Sequence, residues 1–269
     1  MRTLKDLNLC DDFLFKETMK DEHLAAQLLQ TVLDLPGKIE KIEYIQDEKS
    51  IQNSYFEKGI RLDVYIMDGE LTVYNVEVQQ YTEPFLPKRS RKYQSAIDMG
   101  LLKKGETYDK LNTQYIIFIC TFDPFGYGLS RYTFSNRCHE VNGLELGDET
   151  QKVFLYTHGN TCGISKELIE FLAFMENSTK AQADLSDSPF VKALSDKVET
   201  IKGDEILGGV FMTFEEKMEQ YGRHLAKEAA KKAAKETALE TARKMKADGL
   251  PIEKITEYTD LSPEEIEQL

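Results

Sequence analysis

The chain has few of the residues that build disulfide scaffolds and zinc sites. Its 269 residues include only four cysteines and four histidines. The cysteines show no C-x-x-C spacing and the histidines are scattered, which argues against a disulfide framework and against zinc ligation. We therefore expect reduced thiols and a cytoplasmic protein. The eight positions are Cys10, Cys120, Cys138, Cys162, His23, His139, His158 and His224.

Long apolar runs and excess positive charge are also absent. The longest apolar run, residues 115–122, has the length of a strand and is too short to cross a bilayer. Residues 1–12 lack the apolar core of a signal peptide, so we expect neither targeting to a membrane nor a membrane partner. The net charge of −13 argues against general attraction to nucleic acid, but a local basic groove remains possible.

The length suits one catalytic-sized domain with appendages. Residues 11–35 have apolar side chains at helical spacing and predict one helix or a helix pair, ended by Pro36-Gly37. We predict a domain over residues 1–180, a polar linker over 181–209, and a long charged helix with an acidic two-helix tail over 210–269. Residues 250–269 hold six acids and a single lysine, which favours packing or self-association over DNA contact.

Acidic residues interrupt an otherwise apolar hairpin at residues 60–79. Asp68-Gly69 is a strong turn signal between two strands, with Asp63 on the first strand and Glu77 and Gln79 on one face of the second. A two-residue loop would put Asp63 and Glu77 on opposite faces. A loop of residues 68–70 would pair Asp63 with Asn75 and make Glu77 its diagonal neighbour, about 7 to 8 Å away. We predict an odd-length loop or a bulge, which lets both carboxylates converge on one ion.

A basic segment follows the hairpin. Residues 84–104 hold six basic residues and one acid, so the local charge is +5 within a chain of −13. Pro87 suits a helix start, and we expect Phe85 and Tyr93 in the core. We expect this helix to contact nucleic acid through Lys88, Arg89, Arg91 and Lys92.

Acids on two strands beside a basic helix are the groups that metal-assisted cleavage of a phosphodiester bond uses. The ion would be Mg²⁺ or Mn²⁺, because the ligands are oxygens. From the pattern alone, an exposed sheet face with solvated polar residues explains Asp63, Glu77 and Gln79 as well.

Five motifs in order resemble the PD-(D/E)XK nuclease family transposases, a group related to the recombination-promoting nucleases. The resemblance covers roughly residues 9–175, and the tail over 247–269 is also similar to tails of that group. The motifs are D-x-x-F-K at 12–16, R-L-D-V-Y at 61–65, E-V-Q at 77–79, K-R-S-R-K-Y at 88–93 and K-G-E-T-Y-x-x-L at 104–111.

The resemblance implies an α/β fold of restriction-endonuclease type, with a bent mixed sheet flanked by helices and a C-terminal helical extension. It also implies a metal-dependent DNA endonuclease whose Mg²⁺ or Mn²⁺ is held by Asp63, Glu77 and the backbone carbonyl of Val78. Asp12 is expected to add a carboxylate to the ion or to hold Lys16.

Two positions depart from the motif that names the family. Leu62 stands where the name has proline, which is not a ligand. Gln79 stands where the name has lysine, and glutamine can orient water but carries no charge. Members of the group commonly have glutamine here, and we expect Arg91, with Arg89 in reserve, to supply the charge.

Two alternatives stay open. One is a nuclease-fold protein with little or no activity that acts as a binding or assembly module, with the long helix and tail forming a homodimer. The other is a nuclease that cuts RNA.

Overall fold

The described residues contain one six-stranded mixed sheet, in the order β1-β2-β3-β4-β6-β5. The computed structural model describes residues 2–35, 38–39, 41–51, 60–102 and 104–269. Strands β1, β2 and β3 are antiparallel, β4 and β6 run parallel to β3, and β5 is antiparallel to β6. The strands are β1 Ile42–Ile51, β2 Ile60–Asp68, β3 Val73–Gln79, β4 Gln114–Cys120, β5 Arg131–Phe134 and β6 Thr150–Tyr156.

Nine α-helices lie within the described residues, and of the two forms expected for residues 11–35 the structure has the helix pair. The first helix ends at Met19. Asp21 caps the second helix, because its side chain accepts hydrogen bonds from the backbone amides of His23 and Leu24. The predicted stop at Pro36-Gly37 lies outside the described residues. The helices are α1 Asp12–Met19, α2 Glu22–Leu33, α3 Leu86–Leu101, α4 Lys166–Glu176, α5 Lys180–Asp184, α6 Pro189–Gly203, α7 Glu205–Ala247, α8 Ile252–Thr259 and α9 Pro263–Glu267.

Both faces of the central strands are buried, as the continuous apolar sequence of β4 predicts. On one face, α3 covers the sheet with Tyr93 and Ile97, which pack in a cluster with Phe118 and Phe154. Side chains of opposite parity, such as Ile117 and Ile119, are buried as well. Helices α1, α2, α4 and α6 pack against one another, with α1 against β2 and α2 against β1. The fold class expected from the sequence, an α/β core flanked by helices with a C-terminal helical part, is confirmed.

The turn between β2 and β3 has an odd number of residues, as predicted. The Asp68 amide donates to the Thr72 carbonyl at 3.1 Å, which leaves residues 69–71 as the loop. The Asp68 carboxylate closes this loop by accepting hydrogen bonds from the amides of Glu70 and Thr72 at 3.0 and 2.9 Å. The predicted loop of residues 68–70 has the wrong bounds, because Met67 pairs with Val73.

This register puts Asp63 and Glu77 on one face. The paired residues of β2 and β3 end at Val64 and Val76, and the next residue along each strand is Asp63 or Glu77. Asp63 is therefore level with Glu77 rather than with Asn75, which pairs with Tyr65. Beyond this point β2 continues along β1 and β3 continues along β4, so the sheet divides at the two acids.

The predicted linker over residues 181–209 is wrong for almost all of its length. The chain divides into two compact units, Met1–Gly208 and Gly209–Leu269. Helix α6 is part of the first unit because its apolar side chains are buried, and the ring of Phe190 stacks on Phe171 with centroids 5.6 Å apart. Among the small polar residues at 186–188, Ser188 is the cap of α6 and accepts from the Val191 amide.

The second unit has its own small core. The short helices α8 and α9 pack on the end of α7 around Ala242, Ile255, Leu261 and Ile266. Ser262 and Glu265 form a capping box at the start of α9. The ammonium group of Lys246 donates to the carbonyls at the end of α9, so the acidic tail packs within its own unit as expected. None of the described helices is long and apolar enough to span a membrane.

Candidate functional site

Glu77 is a fully buried carboxylate at the point where the sheet divides. Its side chain is 0% exposed. Its Oε1 accepts hydrogen bonds from the Asp63 backbone amide and from Asn75 Nδ2, both at 3.1 Å. A buried carboxylate requires such partners because an unpaired one would cost several kcal/mol or more. Glu77 thus takes the place of the missing ladder partner of Asp63.

Helix α1 brings a buried lysine to Asp63. The Lys16 ammonium lies 3.3 Å from Asp63 Oδ1 and 2.8 Å from Asp12 Oδ2, and Lys16 is 5% exposed. Asp12 and Lys16 are one helical turn apart, which puts both on the same side of α1. Of the two expected roles of Asp12, the structure therefore provides the one in which it holds Lys16. The helix cap of α1 is the neighbouring residue, Asp11.

Helix α3 brings Arg89 to the opposite side of Glu77. Its Nη2 donates to Glu77 Oε2 at 2.9 Å, and its Nη1 donates to Gln79 Oε1 at 3.1 Å and to Glu83 at 2.7 Å. Its Nε donates to the Tyr93 hydroxyl at 2.6 Å. Gln79 Nε2 in turn donates to the carbonyl of Val78 at 2.9 Å. Gln79 therefore bridges a fixed cation and the expected carbonyl ligand.

Arg89, and not Arg91, is the arginine that lies beside the acids. Arg91 was expected near the acids, with Arg89 in reserve. Arg91 is exposed, whereas Arg89 makes the contacts with Glu77 and Gln79. Residues two apart on a helix point in different directions, so only one of the two can face the sheet.

Burial and mutual repulsion disfavour the ionised carboxylates. Burial raises the pKa of Asp63, the charge of Asp12 raises it further, and Lys16 opposes both effects. Burial raises the pKa of Glu77 to about 8, with the charge of Asp63 as the second cause and Arg89 opposing. The two cationic side chains therefore offset only part of the electrostatic cost of the cluster.

The donor chemistry suits a hard divalent cation. All expected metal ligands are oxygen atoms. The buried Oδ1 of Asp12 has no hydrogen-bond partner in the described part of the chain. The carboxylates are, however, turned toward Lys16 and Arg89. Among the described residues no three acidic, histidine or cysteine side chains are arranged as a metal site. Binding of an ion would require Asp63 and Glu77 to exchange part of these contacts.

An open cleft and a basic helix face lie beside the acids. The cleft has a volume of about 390 Å³ and is lined by residues that include Asp12, Val78 and Gln79. Lys88, Arg91 and Lys92 are exposed at helical spacing on α3. Tyr93 is buried as expected, but the prediction of a buried Phe85 is wrong because its ring is 68% exposed.

Two residues of this site were not singled out by the sequence reasoning. Lys16 appeared only as the partner of Asp12, although a lysine between Phe15 and Met19 on the apolar side of α1 was a signal for a buried cation. Asn75 has the same parity as Glu77 along β3, and this placed its amide beside the carboxylate. Asn75 is 0% exposed.

We predict that Asp63→Asn stabilises the metal-free protein at neutral pH. Because the folded state raises the pKa of Asp63, ionisation of this group lowers the free energy of unfolding as pH rises above its ordinary pKa of 3.8. Asparagine cannot ionise, so the free energy of unfolding of the variant does not fall in this way. Thermal unfolding in EDTA should show a higher midpoint for the variant at pH 7, and the difference should shrink below pH 4.

The matched control is Asp109→Asn, which changes an acid whose side chain is 67% exposed and should leave the midpoint unchanged at both pH values. If Asp63→Asn instead lowered the midpoint at pH 7, the attraction between Lys16 and Asp63 would outweigh the cost of burial, and our description of the cluster would be wrong.

The chain matches one known protein family over most of its length. No curated protein and no solved structure matches the chain. A family model described as PD-(D/E)XK nuclease family transposase matches residues 9–202, which includes every residue of the site and most of α6. The match covers more than half of the 269 residues. The chain therefore belongs to the PD-(D/E)XK nuclease family transposases.

Proposed function

We propose that the protein is a metal-dependent endonuclease that hydrolyses phosphodiester bonds in DNA. The observation that carries this proposal is the meeting of two buried acids, Asp63 and Glu77, on one face where the sheet divides. Membership of a nuclease family supports a nuclease or transposase-associated role. The adjacent cleft and the basic face of α3 support a polyanionic substrate.

The proposed ion is Mg²⁺ or Mn²⁺, held by Asp63, Glu77, the Val78 carbonyl and Asp12. When bound, such an ion polarises a phosphate oxygen and lowers the pKa of a bound water. The raised pKa values of Asp63 and Glu77 favour this assignment, because a divalent cation would stabilise both ionised forms. The free oxygen of Asp12 adds a further donor.

Side chains of the protein would supply the remaining positive charge that the reaction needs. Gln79 cannot do so, but its hydrogen bond to Arg89 holds a guanidinium at the position next to Glu77. We assign Arg89, rather than Arg91, to stabilising negative charge on the phosphate, and we assign Lys16 the same task on the side of Asp63. Arg89 also donates to Gln79, Glu83 and Tyr93, and these three contacts would hold it beside the site when an ion replaces it at Glu77.

The proposed DNA contacts are electrostatic. Lys88, Arg91 and Lys92 are exposed on one stretch of α3, whereas Arg89 faces the acids. Within a chain of net charge −13, these contacts predict weak binding with strong dependence on salt. RNA as the substrate remains the alternative for the same chemistry, since recognition of the 2′-hydroxyl depends on contacts in a groove.

A homodimer through α7 is part of the proposal and would double the number of basic faces in one assembly. Support comes from apolar side chains exposed at heptad spacing, Met218, Tyr221 and Leu225, which are 50%, 57% and 48% exposed.

Light scattering should give twice the monomer mass, and Leu225→Glu should restore the mass of one chain. A monomer at micromolar concentration would contradict this part of the proposal. A dimer without nuclease activity would favour the assembly-module alternative.

The activity is tested with purified protein, plasmid DNA and either Mg²⁺ or Mn²⁺. We expect cleavage that EDTA abolishes, and a loss of roughly 100-fold or more in Asp63→Ala and Glu77→Ala, since removal of a single charge-stabilising group acts on this scale. Asp109→Ala, an exposed acid, is the matched control and should cut like the unmodified chain. Cleavage that survives both site substitutions would refute the assignment of these residues.

A further inference from the structure

Phe85 occupies a backbone position that its residue type does not favour. It is the N-cap of α3 with φ 73° and ψ 24°, in the left-handed region. A bulky side chain is a genuine outlier there, and Ser, Thr, Asp, Asn or Gly are the residues preferred at an N-cap. The carbonyl of Phe85 accepts the first helical hydrogen bonds, from Lys88 and Arg89, but its side chain caps nothing.

The ring of Phe85 gains little from packing. It is 68% exposed, and the Lys88 ammonium lies 5.2 Å from the ring centroid. Tyr81, four residues earlier, is 80% exposed. A residue that breaks the rules for backbone, cap and burial at once is the kind of exception found at functional sites.

The position of these rings connects the cleft to the basic face. Residues 81–84 line the cleft beside Asp12 and Gln79, and Phe85 follows directly. Immediately beyond it, Lys88, Arg91 and Lys92 are exposed on α3. Aromatic rings interleaved with exposed cations match the chemistry of a nucleic-acid strand, whose phosphates attract the cations and whose bases stack on the rings.

We propose that Phe85, assisted by Tyr81, stacks on an unpaired nucleobase, so that the preferred substrate is single-stranded or locally unpaired next to the cleavage point. Bases in an intact duplex are stacked on each other and present no free face to an aromatic ring. The proposal deepens the function proposed above and rests on it for the identity of the polymer. It does not require cleavage.

The test measures binding without cleavage, in EDTA, with the full-length chain and a short DNA oligonucleotide that carries 2-aminopurine. The oligonucleotide is used as a single strand and paired with its complement. We expect tighter binding of the single strand, with quenching of the 2-aminopurine fluorescence as the base stacks. Phe85→Gly should weaken single-strand binding roughly 5- to 150-fold, the range for loss of one stacked base, and remove the quenching. Duplex binding should change little.

Phe85→Gly also separates function from folding. Glycine accepts the left-handed backbone without strain, so thermal stability should be retained or raised. Phe85→Leu, which keeps an apolar side chain but loses the flat ring, should show the same binding defect and guards against an effect of added backbone freedom. Tyr108→Ala removes a ring that is 83% exposed in the segment that follows α3, and this variant should bind like the unmodified chain.

The inference is overturned if Phe85→Gly and Phe85→Leu bind the single strand as tightly as the unmodified chain. It is also overturned if the unmodified chain does not prefer the single strand, or binds neither form. Failure of the proposed function looks different: binding and quenching as expected in EDTA, but no cleavage when Mg²⁺ or Mn²⁺ is added. Single-strand cleavage that Phe85→Gly leaves unchanged would retain the nuclease and refute the stacking role.

Discussion

The hydrogen bond from the Asp63 amide to the Glu77 carboxylate is the contact on which the rest of the site depends. It forms where β2 and β3 stop pairing, and it replaces a backbone partner with a carboxylate. A fully buried Glu77 then needs a cation, and this need is met by Arg89 from α3. On the other side, Asp63 is held near Lys16 from α1. One break in the ladder thus draws two helices to one point.

The cluster lowers the stability of the fold and creates a strong electrostatic potential at the two acids. Two acids with raised pKa values and two buried or half-buried cations are costly to desolvate, and replacement of such groups by neutral ones often stabilises a fold. A protein that only needed a packed sheet would have apolar residues at 63 and 77. The cost is explained if the oxygens serve a ligand, which is the role that the proposed metal-dependent chemistry gives them.

Much of this architecture could be predicted from local patterns in the sequence. The parity of Asp63 and Glu77 followed from the requirement for an odd loop, and α3 and β4 followed from helix and strand signals. The loop bounds were wrong because the side chain of Asp68 binds two turn amides, which no spacing rule includes. Phe85 was assigned to the core on residue type, whereas its backbone conformation at the helix cap directs the ring to solvent.

What could not be predicted depends on contacts between distant segments. Helix α6 looked like a linker because small polar residues stand directly before it. Its packing on α1, α2 and α4 shows that it completes the core. The choice of Arg89 over Arg91 depends on the rotation of α3 about its axis. Lys16 reaches Asp63 only because α1 packs on β2. Each of these is a tertiary relation to which a local pattern is blind.

The central claim is that the divided sheet forms a cation site. A crystal structure of the protein soaked with Mn²⁺, collected at a wavelength where manganese scatters anomalously, tests it most directly. We predict an anomalous peak bound by oxygens of Asp63 and Glu77, with Lys16 or Arg89 shifted from its present contact. Density without such a peak at saturating Mn²⁺, with both ion pairs unchanged, would contradict the account.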